Sequence, residues 1–96
     1  MPALLHKGGF FIAMKTVWIT GGSRGIGAAA VQSFARMGWR TAFSWLHCGD
    51  AARSLVQSLT AEGCTVLSVR GDMRKRADVE ACAAAVRSAF GRIDAL

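Results

Sequence analysis

The feature that most constrains the fold is a glycine-rich octet, Thr20 to Gly27, between a short apolar run and an amphipathic segment. The octet reads TGGSRGIG, and the run before it, KTVWIT, is apolar and β-branched, as is typical of a strand buried on both faces. After it, apolar residues recur at helical spacing, and Gly38 follows where a left-handed cap ends a helix. The buried face of that helix is predicted to contain Ile26, Ala30, Phe34 and Met37.

The same alternation of strand and helix continues to the end of the chain. A second strand is predicted over 40–46, a third over 64–69 and the start of a fourth over 93–96. Asp50 is the expected N-cap of the second helix, and Gly91 is the expected cap of the third, whose apolar positions are Val79, Ala83, Val86 and Phe90. Regular βαβ units of this kind predict an α/β fold with right-handed crossovers and a parallel sheet.

The glycines of the octet suit a phosphate-binding turn. Gly21 permits a tight turn out of the strand, Gly25 lets backbone approach a phosphate, and Gly27 lets the helix pack closely on the sheet. Backbone N–H groups at the start of a helix, together with its dipole, favour a bound pyrophosphate. The alternative is a tight turn without a ligand, but the strand before the octet and the helix after it favour the binding site.

Composition limits the class of protein. With 96 residues, 52% hydrophobic and 19% charged, the chain is large enough for one small core. Its net charge of +6 suggests an anionic partner, but the basic residues form no continuous stripe, so a solvated surface is the favoured explanation. Cys48, Cys64 and Cys82 have the spacing of neither a zinc site nor a disulfide framework, so a reducing cytoplasm and no metal are expected.

Residues 1–14 are predicted to be an N-terminal extension that is not necessarily native, because translation could begin at Met14. The alternative is an arm that packs through Phe10 and Phe11. The apolar stretch over 8–14 is too short to span a membrane and makes a poor signal peptide. Residues 15–96 are the second predicted unit.

Three segments, TGGSRGIG, RGDM at 70–73 and the ending FGRIDAL, resemble the N-terminal half of a short-chain dehydrogenase/reductase over residues 15–96. The octet is most similar to the 3-oxoacyl-acyl-carrier-protein reductase branch. The resemblance implies part of a Rossmann-type doubly wound parallel sheet, truncated after the start of its fourth strand. It also implies an oxidoreductase that reduces a carbonyl, such as a 3-oxoacyl thioester, with hydride from NADPH.

The resemblance further implies where a dinucleotide binds. It assigns cofactor contacts to the glycine-rich segment, at Gly21, Gly22, Ser23, Arg24, Gly25, Ile26 and Gly27. In NADP-preferring relatives the arginine that matches Arg24 pairs with the ribose 2′-phosphate, and residues 43–47 contain no carboxylate to bind an NAD ribose. NADP is therefore expected rather than NAD.

Other residues are expected to complete this site. Ser44 is a candidate hydroxyl donor to the 2′-phosphate, and His47 or Arg53 a candidate second cation, although a solvated role suits each equally well. The resemblance assigns the adenine amino group to Asp72 and a contact with the ring to the backbone of Met73. Arg74 stands where relatives have a Ser or Thr N-cap, so the third helix is expected to start poorly, and the run 74–76 is expected to be a solvated face.

The catalytic residues that the resemblance implies are an Asn-Ala-Gly segment, a Ser and a Tyr-x-x-x-Lys pair. In the family these residues come later in the chain than the position of Leu96, and the 96 residues contain no Asn-Ala-Gly segment and no Tyr, so no catalytic residue is assigned and the chain alone is predicted to be inactive. The alternatives are a dinucleotide-binding module or redox sensor without catalysis and, less favoured, a nucleic-acid-binding protein. The substrate and any homo-oligomer are expected only for a full-length form.

Overall fold

The computed structural model describes residues 15–22 and 25–96. Strands and helices alternate as β1 (Thr16–Thr20), α1 (Gly25–Arg36), β2 (Arg40–Trp45), α2 (Gly49–Ala61), β3 (Val66–Arg70) and α3 (Arg76–Phe90). The strands are parallel, with β2 in the middle, and Ala42 is paired with both Trp18 and Leu67. The predicted α/β fold with a parallel sheet is confirmed. The interpretations of residues 1–14, and of Ser23 and Arg24, lie outside the described residues.

The predicted fourth strand consists of a single parallel bridge between Ala95 and Val17. The N–H of Trp18 donates to the carbonyl of Ala95 over 3.0 Å, and the N–H groups of Asp94 and Ala95 both donate to the carbonyl of Thr16. The bridge lies on the edge of β1 that faces away from β2, so the spatial order is β3, β2, β1, bridge. The direction of connection reverses after β3, and right-handed crossovers then place α3 on the opposite face from α1 and α2.

Two hydrophobic clusters cover the two faces of the sheet. On what we call the α1–α2 face, six hydrophobic residues are buried: Val31, Ala35, Phe43, Ala52, Leu55 and Leu59. On the α3 face the buried residues are Trp18, Ala42, Cys82 and Val86. The predicted third helix is confirmed, since Val79, Ala83 and Phe90 pack against this second cluster and Gly91 caps the helix at φ 88°.

The predicted buried face of α1 is wrong. Ile26 is 91% exposed and Met37 is 63% exposed, whereas Val31 and Ala35 are buried. The face towards the sheet passes through Gly27, Val31 and Ala35, which are four residues apart in sequence. Because glycine has no apolar side chain, the pattern of apolar residues did not indicate this face.

The predicted N-cap of α2 is also wrong. The helix begins at Gly49, after Cys48 in the left-handed region at φ 65°, and no side chain caps it. Asp50 lies in the first turn, where its carboxylate accepts a hydrogen bond from Arg53 over 2.8 Å. Gly49, the first residue of the helix, lies against the ring of Trp45, where a Cβ would be 3.1 Å from the nearest ring atom.

Candidate functional site

The turn between β1 and α1 brings the glycine-rich segment to the carboxyl edge of the sheet. Gly21 adopts φ 71°, in the left-handed region, and turns the chain directly after β1. A Cβ on Gly27 would lie 2.1 Å from the carbonyl oxygen of Gly21, so only glycine allows the first turn of α1 to approach so closely. The tight turn and the close packing predicted from the sequence are both observed.

Backbone hydrogen bonds divide the N–H groups of this segment into two sets. The N–H groups of Gly21 and Gly22 donate to the carbonyl of Ser44 over 3.0 and 3.1 Å, which ties the turn to β2. The first four N–H groups of an α-helix have no partner within the helix, and the helix dipole gives this end a partial positive charge. The donors that α1 offers to an anion are therefore in its first turn, at Gly25, Ile26 and Gly27.

A pocket of about 310 Å³ lies beside this turn, at the carboxyl ends of β1, β2 and β3. It is lined by Thr20, Gly21, Ser44, Trp45, Leu46, Gly71, Asp72, Met73 and Arg74. The pocket thus brings together four of the predicted site residues, Gly21, Ser44, Asp72 and Met73. Gly22 is not among them, because it is buried against Phe43.

The end of β2 contributes a buried hydroxyl. Ser44 is fully buried, and its Oγ has no hydrogen-bond partner within the described residues. Successive side chains of a strand alternate between faces, so Ser44 shares the α3 face with Ala42 while Phe43 packs on the other face. A buried polar atom without a partner is costly, and Ser44 lines the pocket, so this buried hydroxyl is a candidate ligand contact only if its side chain turns towards the pocket.

The surroundings of the β2 end are cationic. No carboxylate follows Ser44, since the next residues are Trp45, Leu46 and the exposed His47. The guanidinium of Arg70 lies over the ring of Trp45, 5.8 Å from its centroid. The end of β2 therefore has one cation beside it and no carboxylate directly after Ser44.

Asp72 is the acidic residue of the pocket lining, and it is only 6% exposed. Its Oδ1 accepts hydrogen bonds from the N–H of Arg74 over 3.0 Å and from Nε of Arg74 over 2.9 Å, and its Oδ2 accepts one from Nη2 over 2.9 Å. These bonds, first that of the guanidinium and then that of the backbone N–H, lower the pKa of Asp72 to about 2. Asp72 is therefore a fixed anion at neutral pH.

The role of Arg74 was missed in the sequence. The poor start of α3 is confirmed, because its N-cap is Lys75 with no side-chain hydrogen bond. The interpretation of the run 74–76 as a solvated face is confirmed, since all three residues are exposed and the Arg74 side chain is 83% exposed, but the same arginine also pairs with the buried Asp72 carboxylate. The available signal was an arginine two residues after an aspartate that follows a buried strand. Thr20, Trp45, Leu46 and Gly71 were also missed as lining residues.

Within residues 15–22 and 25–96, no helix is both long and apolar enough to cross a membrane. Over the same ranges, no three His, Cys, Asp or Glu side chains come together as a metal site. The cysteines described, Cys48, Cys64 and Cys82, are free thiols.

Comparison with known proteins gives consistent matches over the described fold. The family model of short chain dehydrogenases matches residues 15–96. The chain is 39% identical over 87 residues to L-rhamnose 1-dehydrogenase (NAD(P)(+)) of Azotobacter vinelandii, covering 85% of this chain and 33% of that protein. It is 29% identical over 82 residues to a 3-oxoacyl-acyl-carrier-protein reductase of Staphylococcus epidermidis, covering 85% of this chain and 34% of that protein.

Solved structures show the same similarity. A blue fluorescent protein from a metagenomic library, in complex with NADPH, matches with a TM-score of 0.79 and 34% identity, covering 83% of this chain and 33% of that one. The chain spans about a third of the length of the relatives that it matches.

Proposed function

The chain belongs to the short-chain dehydrogenase family, and from this premise we propose that residues 15–96 bind NADP as the cofactor-binding portion of an oxidoreductase. The observation that carries the proposal is the close contact between Gly27 and the Gly21 carbonyl, directly after a central parallel strand. That contact sets the first turn of α1 against the end of β1, at the point where the strand order reverses. Ligands of open α/β sheets bind outside the carboxyl ends of the strands at such a point.

The residues present fit a dinucleotide. The N–H groups in the first turn of α1 are proposed to hold the pyrophosphate, as an anion at a helix N-terminus. Asp72, an ionised acceptor in the pocket, is proposed to hold the adenine amino group, with the backbone of Met73 against the ring. The Oγ of Ser44, which has no partner among the described residues, supports a ligand in this pocket, and its burial on the α3 face favours a contact near the adenine over one with the 2′-phosphate.

The choice of NADP rests on charge. The β2 end carries no carboxylate to accept from the ribose hydroxyls, and Arg70 lies beside it over Trp45. Arg24 is proposed to pair with the 2′-phosphate, because a guanidinium binds phosphate through charge-assisted bidentate bonds. When bound, NADPH supplies hydride.

The substrate is proposed to be a carbonyl compound, a 3-oxoacyl thioester in particular, on the wording TGGSRGIG and the similarity to the Staphylococcus epidermidis reductase. A cytoplasmic location is proposed from three free cysteines. The 96 residues contain no tyrosine to act as the proton donor that the family resemblance implies. A dinucleotide-binding module without catalysis is therefore the second candidate.

The test is to titrate NADP and NAD against the wild type, Arg24→Ala and Arg87→Ala. Arg87 lies on the exposed side of α3 and controls for the loss of one positive charge. We expect Arg24→Ala to weaken NADP binding by about 1–3 kcal/mol and to leave NAD binding unchanged. Equal weakening of NADP and NAD binding would contradict a role of Arg24 in recognising the 2′-phosphate. If the wild type binds neither nucleotide, the proposed function is wrong.

Catalysis by the 96-residue chain is tested separately, with NADPH and a 3-oxoacyl thioester. We expect no oxidation of NADPH beyond the rate without protein, because no proton donor of the implied type is present. Turnover by the purified chain would show that another group supplies the proton.

A further inference from the structure

Asp72 is held by one neighbouring residue. All three side-chain and backbone donors described on its carboxylate belong to Arg74, at 2.9 to 3.0 Å. The two side chains differ sharply in exposure, since that of Asp72 is 9% exposed and that of Arg74 is 83% exposed. A guanidinium on the surface therefore holds the carboxylate of a buried residue at the wall of the pocket.

We propose that Arg74 is a positioning residue that makes the pocket selective for a purine with an exocyclic amino group over a purine with a carbonyl in the same place. The inference rests on the proposed function, because it assumes that the pocket receives the purine of a dinucleotide. Arg74 acts through Asp72 and is not itself required to touch the ligand.

The hydrogen-bond inventory supports this role. An ionised carboxylate accepts about four hydrogen bonds, two at each oxygen, and donates none. Arg74 donates two hydrogen bonds to Oδ1 and one to Oδ2, so Oδ2 can accept one more. Because the carboxylate stays ionised and its plane is fixed by a bidentate pair, this site accepts an amino group and repels a carbonyl oxygen.

Other charges near Asp72 do not replace Arg74. Among the described residues, Lys75 in the same loop is the other cation that lowers the pKa of Asp72, and it acts more weakly than Arg74. From α3, Asp78 faces the same loop, and its Oδ2 accepts the backbone N–H of Asp72 over 2.8 Å. Burial of Asp72 favours its neutral form. Without the Arg74 side chain the carboxyl group has a higher pKa and keeps the bond from the backbone N–H of residue 74, but its plane is no longer fixed by the guanidinium, so the free lone pair is no longer aimed at an amino group.

The experiment compares NADP with its deaminated analogue, in which hypoxanthine replaces adenine. Both are titrated against the wild type, Arg74→Gln, Arg74→Lys and, as a control, Arg87→Gln. We expect the wild type to prefer NADP by about tenfold, as one charged hydrogen bond provides. The preference for NADP should fall to about threefold or less in Arg74→Gln and be unchanged in Arg87→Gln. In Arg74→Lys it should be only partly restored, because lysine keeps the charge but lacks the planar guanidinium.

A second measurement does not depend on nucleotide. The carboxyl carbon of Asp72, followed by NMR as pH is lowered, should titrate near pH 2 in the wild type and at higher pH in Arg74→Gln. A higher titration midpoint with a loss of preference supports the inference. If Arg74→Gln weakens both nucleotides equally, Arg74 only braces the loop and the inference is wrong, while the proposed function stands. If the wild type binds neither nucleotide, the proposed function and the inference both fail.

Discussion

The two faces of the sheet differ in how completely their buried polar groups are hydrogen-bonded. The α1–α2 face is covered by two helices, and its buried polar side chain, Thr41, donates its hydroxyl to the carbonyl of Trp39 over 3.1 Å. The α3 face is covered by one helix, and its cluster includes the indole of Trp18, whose Nε1 has no partner within the described residues. Thr16 and Ser44, which point to the same side by strand alternation, also have buried hydroxyls without partners there.

This difference suggests that the two faces have different roles, one mainly in the stability of the fold and the other mainly in ligand binding. Apolar burial by two helices makes the α1–α2 face the main source of folding free energy. The α3 face provides the polar groups of the pocket, because Ser44 lies on it and the loop of Asp72 leads into α3. Substitutions on the first face should act mainly on unfolding, and those at the pocket mainly on ligand affinity.

Gly27→Ala should have the largest effect, because it should reduce both the stability of the fold and the affinity for NADP. Its Cβ would be 2.1 Å from the backbone oxygen of Gly21, so α1 has to move away from β1. We expect a destabilisation of about 3 kcal/mol in urea unfolding and a loss of NADP binding. The control is Gly63→Ala, which has φ 91° but open space around its Cβ, and should cost about 1–2 kcal/mol with binding kept. Equal effects of the two substitutions would contradict the close contact.

Val31→Ala and Val86→Ala compare the faces directly, since both side chains are fully buried valines and lie on opposite faces. Each substitution removes two carbon atoms, a loss of about 1.6 kcal/mol of transfer energy. Val31→Ala should cost more than this, because two helices cover the α1–α2 face and hold the cavity open, whereas Val86→Ala should stay near it. Urea unfolding measures both, and a larger cost for Val86→Ala would reverse the assignment of the main core.

Asp94→Asn should have a smaller effect, limited to the free edge of β1. The Asp94 carboxylate accepts the N–H of Thr16 over 2.8 Å and pairs with Arg92, and these contacts, that of Thr16 first, lower the pKa of Asp94. An aspartate with a lowered pKa in the folded state stabilises the fold above its unfolded pKa of about 4, and this stabilisation is lost as pH falls through the folded value.

The Asn variant should therefore be less stable than the wild type at pH 7, and the difference should shrink as pH falls below about 4. Thermal melting over this range measures it. A difference that is constant with pH would show that the ionised carboxylate does not hold the bridge at Ala95.

Trp18→Phe should have the smallest effect. It removes a buried indole N–H without a partner, which offsets the loss of apolar contact on the α3 face. We expect unfolding free energy to change by less than about 1 kcal/mol. A loss of several kcal/mol would mean that the indole N–H has a partner that matters for folding.

Sequence alone predicted the order of elements, because strand and helix periods are local properties. The family resemblance assigned Gly21, Ser44, Asp72 and Met73 to one cofactor site, and the structure brings all four to the lining of the pocket. The buried face of α1 was missed because a glycine occupies its first position. The pairing of Arg74 with Asp72 was missed because it depends on the path of a loop and has no periodic signal.

The most direct test of the central claim, that the first turn of α1 and the pocket form one dinucleotide site, is an amide NMR titration of the chain with NADP. We predict saturable shifts at Gly25, Ile26, Gly27, Ser44 and Asp72, with little change at Leu59 on the opposite side of the core. Inorganic tripolyphosphate should not reproduce the shifts at Ser44 and Asp72. Shifts spread over the basic surface and reproduced by tripolyphosphate, or no shifts at all, would contradict the claim.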